Sequence, residues 1–299
     1  MGQTVGVLIA IVSSTLGGSA AAVTRYLATG ADAITLAILR WDVGIMLVLP
    51  ATLIFRAKWP PRCDMLRVIA LGACFFGLFF VLYNIAISYT TAARASLALS
   101  TLPLQTMLAG ALLGIEPLTV RKSLGVAIAM LGVFTALALG LGSAPVGAWR
   151  GEAIMIAAVL CMALYNVWSR PLIQRSSALG FLCVGMASGA TALIVVGVLT
   201  GRASVVLDFS RAQWIAGIYL GIAGGAAAFI LWVMALQRTT PTLVANTMTV
   251  NPIAAGLLAT QLIGEPFTVN LIAGVVTVFI GIWVATTGRT TRPDAKHAA

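Results

Sequence analysis

Charge is what this sequence most lacks. Lys, Arg, Asp and Glu make up only 9% of its 299 residues, where soluble domains carry roughly 25% to build a surface that water can hold. With 18 Lys+Arg, 8 Asp+Glu and one His, the chain cannot coat a water-soluble particle of its size. A soluble enzyme, a secreted disulfide scaffold and a disordered tail are excluded together. The lone His297 stands near the end of the sequence. With no catalytic His, no Cys–His pair, no metal cluster and no phosphate-cradling loop, the sequence predicts neither an enzyme nor an ATP-driven pump, and no cofactor or metal.

Cysteine is also scarce. Cys63, Cys74, Cys161 and Cys183 form no close-spaced pair, and they read as small buried hydrophobes rather than disulfides or ligands. The three lysines, Lys58, Lys122 and Lys296, all stand outside the apolar runs. The net charge of +10 is spread singly and in pairs between those runs. It predicts a topology signal and attraction to anionic lipid, not a nucleic-acid surface.

What is abundant is apolar length. Hydrophobic residues make up 60% of the chain, and mean hydropathy is +1.04. A membrane-spanning helix needs about 20 mostly apolar residues. Ten windows qualify: Val5–Val23, Ala33–Phe55, Val68–Ser88, Ala95–Leu113, Ser123–Leu141, Ala153–Pro171, Ala178–Leu199, Trp214–Leu236, Leu243–Ile263 and Val269–Thr287. The first lacks a basic leader and a clear cleavage site, so it is expected to be a retained helix. The runs are continuous rather than alternating, which predicts an all-α integral membrane protein and not a β-barrel. With the N-terminus inside, Lys+Arg divide twelve to five between cytoplasmic and opposite connections. That asymmetry places both termini in the cytoplasm of a multi-pass protein, expected in a bacterial inner membrane. Trp59, Trp149 and Trp214 fall at span ends, where amphipathic rings anchor at the headgroups.

The sequence repeats itself. Glu116-Pro117-Leu118-Thr119-Val120 recurs as Glu265-Pro266-Phe267-Thr268-Val269, 149 residues on. At that offset, residues 72–133 and 221–282 share 16 identities in 62 positions, with Gly72/Gly221, Pro103/Pro252, Gly125/Gly274 and Gly132/Gly281 among them. The expected units are residues 1–144 and 145–299, five helices each. An odd number of crossings makes the second unit enter from the other side, so the halves are inverted. Inverted repeats are a mark of secondary transporters, with the substrate site at the repeat interface near the midplane. Since one chain already contains both halves, a monomer is expected to suffice.

The run ending in Tyr83-Asn84-Ile85-Ala86, the Thr90–Ser96 segment, Pro103, the Glu-Pro-Leu-Thr turn and its second copy resemble the EamA-type repeat of the drug/metabolite transporter superfamily. Arg40, ahead of an apolar run, fits the same pattern. The resemblance implies a ten-helix exporter of small metabolites working by alternating access, and within the superfamily it leans toward a YddG-like exporter of aromatic amino acids.

Several residues are candidates for the site. Pro103 and Pro252 are mid-span, with Ser100, Thr101 and Gln105 around the first and Asn246, Thr249 and Asn251 around the second. Mid-span proline frees a carbonyl that needs a partner or a water-lined cavity. Tyr83 and Asn84, Tyr165, Asn166 and Trp168, and Trp232 add aromatics and amides, a combination that suits an amphipathic solute. Tyr83 and Trp232 are equivalent under the offset. Helix–helix packing and interhelical hydrogen bonding use the same residue types. Asp42 is the one carboxylate expected within hydrocarbon and so the candidate proton carrier. Arg40, two residues earlier, is expected to snorkel toward the interface. Glu116 and Glu265 each precede a proline and read as structural helix-start acids. Arg40 is the only clear intramembrane cation, with Arg170 at the very end of its span, which argues against phosphate-bearing substrates.

The expected activity is export of small amphipathic metabolites, amino acids first, from a site lined by the first, third, fourth, sixth, eighth and ninth spans. Proton-coupled antiport of drugs or other metabolites, and a membrane receptor that transports nothing, are the alternatives. The expected partners are the substrate and the lipid bilayer.

Overall fold

The structure, a computed structural model, describes residues 2–115, 118–139, 144–201, 209–266 and 268–286. Helix is the only regular structure among them. The helical segments are α1 Gly2–Leu27, α2 Ala33–Ile54, α3 Arg62–Tyr89, α4 Ala92–Leu112, α5 Val120–Leu139, α6 Ala148–Arg175, α7 Ala178–Leu199, α8 Arg211–Arg238, α9 Pro241–Ile263 and α10 Val269–Thr286. Among the described residues, eight are long and apolar enough to cross a membrane. Shorter apolar stretches lie within the other two, at Ser123–Thr135 in α5 and Ile272–Gly281 in α10.

Local chemistry sets the helix starts. A side-chain oxygen at the N-cap satisfies an orphan backbone N–H, and here Asp32 caps α2, Thr91 caps α4, Ser177 caps α7 and Thr240 caps α9. Ser210 and Gln213 form a reciprocal capping box at α8. Thr91 and Thr240 are 149 residues apart. Gly264 stops α9 in the left-handed region at φ 66°, a conformation that costs glycine little.

Four of the long helices are not regular throughout. The middle of α3 is π-helical over Ala73–Phe79, and the middle of α8 over Leu220–Ala227. α4 breaks after Leu99 and resumes at Leu102, while α9 passes through a 3-10 turn at Thr247–Val250 and resumes at Asn251. Pro103 and Pro252 open the resumed segments, where a missing N–H costs nothing. The prolines thus begin new helical segments rather than kinking the middle of a helix. An offset of 149 carries the first π segment and the first break nearly onto the second of each.

The packing pairs off in the same way. α1 packs on α8 and α9, and correspondingly α6 packs on α3 and α4; α2 meets α8 as α7 meets α3; α2 meets α7, and α5 meets α10. On the α5–α10 seam, a Cβ on Gly132 would press on Thr277 and Gly274 O, and one on Gly281 would press on Gly125 O and Ala129. In lipid, helices associate through close backbone approach, for which small residues are needed. Gly281→Leu is therefore expected to lower the melting midpoint in detergent by several degrees. Gly77→Ala, at a position with nothing within 4 Å of an added Cβ, should leave it nearly unchanged. Equal midpoints for the two variants would contradict the close packing of the seam.

Candidate functional site

The π segment of α3 brings Phe75, Phe76 and Phe79 inward, and Phe80 follows directly after it, all buried. Phe75 stacks on Tyr165 of α6 at 4.2 Å between centroids, and Trp41 of α2 meets Phe80 edge-on at 4.5 Å. This aromatic mass fills one part of the centre. Beside it lies a cavity of about 40 Å³ walled by residues of α1, α2, α3, α4, α6, α8 and α9, among them Ser13, Tyr83, Phe229, Trp232 and Asn251. The volume exceeds the roughly 15 Å³ that one water needs but falls far below the ~300 Å³ of a ligand pocket. In this conformation the centre has room for water but not for a ligand-sized solute.

Of the residues singled out from sequence, Tyr83, Trp232 and Asn251 line the cavity. Asn166 stands behind it, and its Oδ1 accepts the indole N–H of Trp232 at 3.0 Å. Asn246 is buried with neither amide atom hydrogen-bonded, and Thr249 donates to its carbonyl oxygen at 3.0 Å. Ser100 donates back to Ser96 O within α4. Pro252 is buried next to Asn251, and Pro103 is buried near Ser100, but neither lines the cavity.

Others are elsewhere. Asn84 donates to Ala33 O at 2.9 Å, tying α3 to the start of α2. Tyr165 is stacked in the aromatic core with its hydroxyl unpartnered. Trp168 is 43% exposed and faces a lateral cleft between α3 and α6, mouthed by Arg67 and Arg175. Thr101 and Gln105 line another lateral groove, where Gln105 donates to Ile156 O at 2.8 Å. Asp42 is half-buried, with no hydrogen bond or ion pair among the described residues, and is not on the cavity wall. Glu116 lies outside the described residues. Glu265 serves a different helix from the one its sequence position suggests: α10 starts four residues later, whereas Glu265 accepts the N–H of Ala92 at the start of α4 and pairs with Arg25 at 3.0 Å.

Arg40 overturns an expectation. Rather than snorkelling, it is 3% exposed and on the cavity wall. Its Nη2 donates at 2.6 Å to Gly224 O in the π segment of α8, and its guanidinium lies 4.6 Å from the Phe80 ring centre and 5.2 Å from that of Trp41. π-helical segments often mark functional sites. The cavity wall therefore includes α2, which the sequence reading had left out.

Ion pairs close both ends of the bundle. At one end stand Arg25–Glu265 and, at 2.6 Å, Arg94–Glu152; Arg25 also donates to Ile87 O and Ser88 O. At the other end Arg175 and Arg67 share Asp64, and Ser177 donates to Lys58 O. A central, mostly apolar cavity with a few polar groups, lying between two ends held by ion pairs, is suited to passing a solute from one side to the other.

Comparison with known proteins agrees. A family model described as the EamA-like transporter family matches residues 4–138 and again 149–287. An uncharacterized transporter of Clostridium kluyveri is 26% identical over 149 residues, 50% of this chain and 48% of that protein, so the alignment spans about half the length of this relative. The uncharacterized transporter YdfC of Bacillus subtilis is 24% identical over 81% of this chain and 78% of its own length. A protein of Streptantibioticus cattleyicolor named "Probable terminal-alkyne amino-acid exporter" is 28% identical over 60% of this chain and 59% of its own. A solved structure titled only as a crystal structure of a protein matches with a TM-score of 0.71 at 19% identity, covering 95% of this chain and 97% of the other. At that identity it shows a shared fold.

Proposed function

The chain belongs to the EamA-like transporter family, and from that premise we propose that it exports small amphipathic metabolites, amino acids with apolar or aromatic side chains foremost, by alternating access about the central cavity. It is a multi-pass membrane transporter and not an enzyme. The observation that carries the substrate reading is the cavity itself: a few polar groups, Ser13, Arg40 and Asn251, set among Phe79, Phe80, Tyr83, Phe229 and Trp232. Fixed hydrogen-bonding groups among aromatic walls match a solute with one polar and one apolar part.

All ten helices cross the membrane in this reading, as two inverted units of five. The paired π segments, the paired breaks at the prolines and the reciprocal packing of α1 on α9 and α6 on α4 support it. So does the double match of the family model. The units meet near residues 140–148, both termini face the cytoplasm, and one chain forms the whole path. Rocking of the halves opens the ends in turn, parting the Arg25–Glu265 and Arg94–Glu152 pairs on one face and the Arg175–Asp64 pair on the other.

The direct test is uptake of labelled amino acids by proteoliposomes. Saturable uptake of at least one apolar or aromatic amino acid is expected, and no uptake of any of the twenty would refute the reading. Because no carboxylate lines the cavity among the described residues, transport runs down the substrate gradient. An imposed pH gradient and Asp42→Asn are each expected to leave the uptake rate within about twofold of the control. Gradient-driven accumulation that vanishes in Asp42→Asn would establish proton antiport instead.

A further inference from the structure

Arg40 is buried without the partners that normally accompany a buried charge. A guanidinium has five N–H donors in a fixed fork. Here Nη2 is bonded to Gly224 O, while Nε and Nη1 have no hydrogen-bond partner. The ion pairs among the described residues join other groups: Arg25 to Glu265, Arg67 and Arg175 to Asp64, and Arg94 to Glu152. The faces of Phe80 and Trp41, and Tyr83 with its ring centre 5.9 Å from the guanidinium, return part of the lost hydration. The rest is a standing cost, because buried cations are ordinarily both paired and fully hydrogen-bonded. The unpartnered nitrogens belong to a side chain on the cavity wall, so an anion in the cavity would offset that cost.

Resting on the transport reading above, we propose that Arg40 is the anion-binding residue of the central cavity and that the substrate presents a single carboxylate to it. The charge count sets the class. Arg40 is the one cationic side chain on the cavity wall among the described residues. It neutralises a carboxylate, whereas a phosphate dianion would keep an uncompensated charge in a water-poor site. A cationic drug would meet repulsion there. A second polar group on the wall is Asn251 of α9, 1% exposed, whose Oδ1 has no donor. It accepts from the ammonium of a zwitterion. On the same wall Phe79, Phe229 and Trp232 supply apolar surface for a side chain. The cavity thus carries a donor, an acceptor and aromatic surface, which is the set of groups that an α-amino acid calls for.

The test uses the full chain with three probes: phenylalanine, phenylalaninamide, in which the carboxylate is gone, and phenylpropionate, in which the ammonium is gone. Binding is read as thermal stabilisation of the detergent-purified protein, and transport as uptake of labelled phenylalanine and phenylpropionate by proteoliposomes. Loss of a hydrogen-bonded charge costs about 10- to 100-fold in affinity. The amide is therefore expected to bind that much more weakly than phenylalanine, with phenylpropionate losing less. Arg40→Gln should weaken phenylalanine by a similar factor and erase the preference over the amide, and Arg40→Lys should restore part of it. If the wild-type protein binds amide and acid equally, the proposal is overturned whether or not amino acids are transported, and whether or not Arg40→Gln folds. Uptake of phenylpropionate but not phenylalanine, lost in Arg40→Gln, would sustain the carboxylate site while refuting amino-acid export.

Discussion

Arg94→Ala is expected to destabilise the protein by about 3–5 kcal/mol, the cost of leaving a buried charge without its partner. The Arg94 and Glu152 side chains are 7% and 9% exposed and meet at 2.6 Å. Thr90 donates to the same carboxylate oxygen at 3.4 Å, so Glu152 is held by Thr90 just ahead of α4 and Arg94 in its first turn. Removing the guanidinium strands the carboxylate between α4 and α6, a contact that joins the two halves of the chain. Glu152→Ala should cost a similar amount for the mirror-image reason. The double variant Arg94→Met, Glu152→Leu should recover most of the loss, since a buried pair replaced by apolar groups of similar volume is often close to neutral. Denaturant unfolding in mixed micelles measures all of these variants. Simple additivity of the two single losses in the double variant would contradict a coupled buried pair.

The second large effect is expected from Trp232→Ala, again about 3–5 kcal/mol, because a fully buried indole leaves a void that its neighbours fill only in part. Trp232 is 2% exposed, lines the cavity and donates to Asn166 at 3.0 Å. Removing it enlarges the cavity and frees Asn166, whose Nδ2 is already unpartnered. Uptake should fall with stability. Trp232→Phe separates the two contributions: most ring contacts persist, but Asn166 is left with no side-chain hydrogen bond among the described residues, at about 1–3 kcal/mol. Its substrate affinity should drop while its melting midpoint falls by less than that of the alanine variant. Equal uptake by wild type, Trp232→Phe and Trp232→Ala would remove the indole from the site.

Much of the architecture is legible in the sequence because the membrane imposes it. Continuous apolar runs admit one local solution, the helix, so the windows agree closely with α1 to α10. Thr91 and Thr240 are capping residues in one pattern at two places, and Pro103 and Pro252 mark the two interruptions. The π segments are harder to anticipate. Gly221, Gly224 and Gly225 hint at irregular backbone, but i→i+5 bonding has no side-chain period of its own.

The lining of the central cavity is legible in part. Tyr83, Trp232 and Asn251 combine an aromatic or amide group with a mid-span position, which is a usable signal. Arg40 carries the same kind of signal in its charge, yet its depth is set by which face of α2 meets the π segment of α8, and α2 is apolar nearly all round. Trp168 shows the converse, since an indole in a spanning helix packs against lipid as readily as against protein. Glu265 finds Arg25 and Ala92 across long separations in sequence, pairings that no local pattern encodes.

The central claim is that one site serves both faces in alternation, and trans-stimulation tests it most directly. Proteoliposomes loaded with unlabelled amino acid should take up the labelled compound several times faster than empty ones, since a loaded carrier returns faster than an empty one or exchanges without net loss. Uptake that is saturable but indifferent to internal substrate, or slowed by it, would contradict alternating access about this cavity.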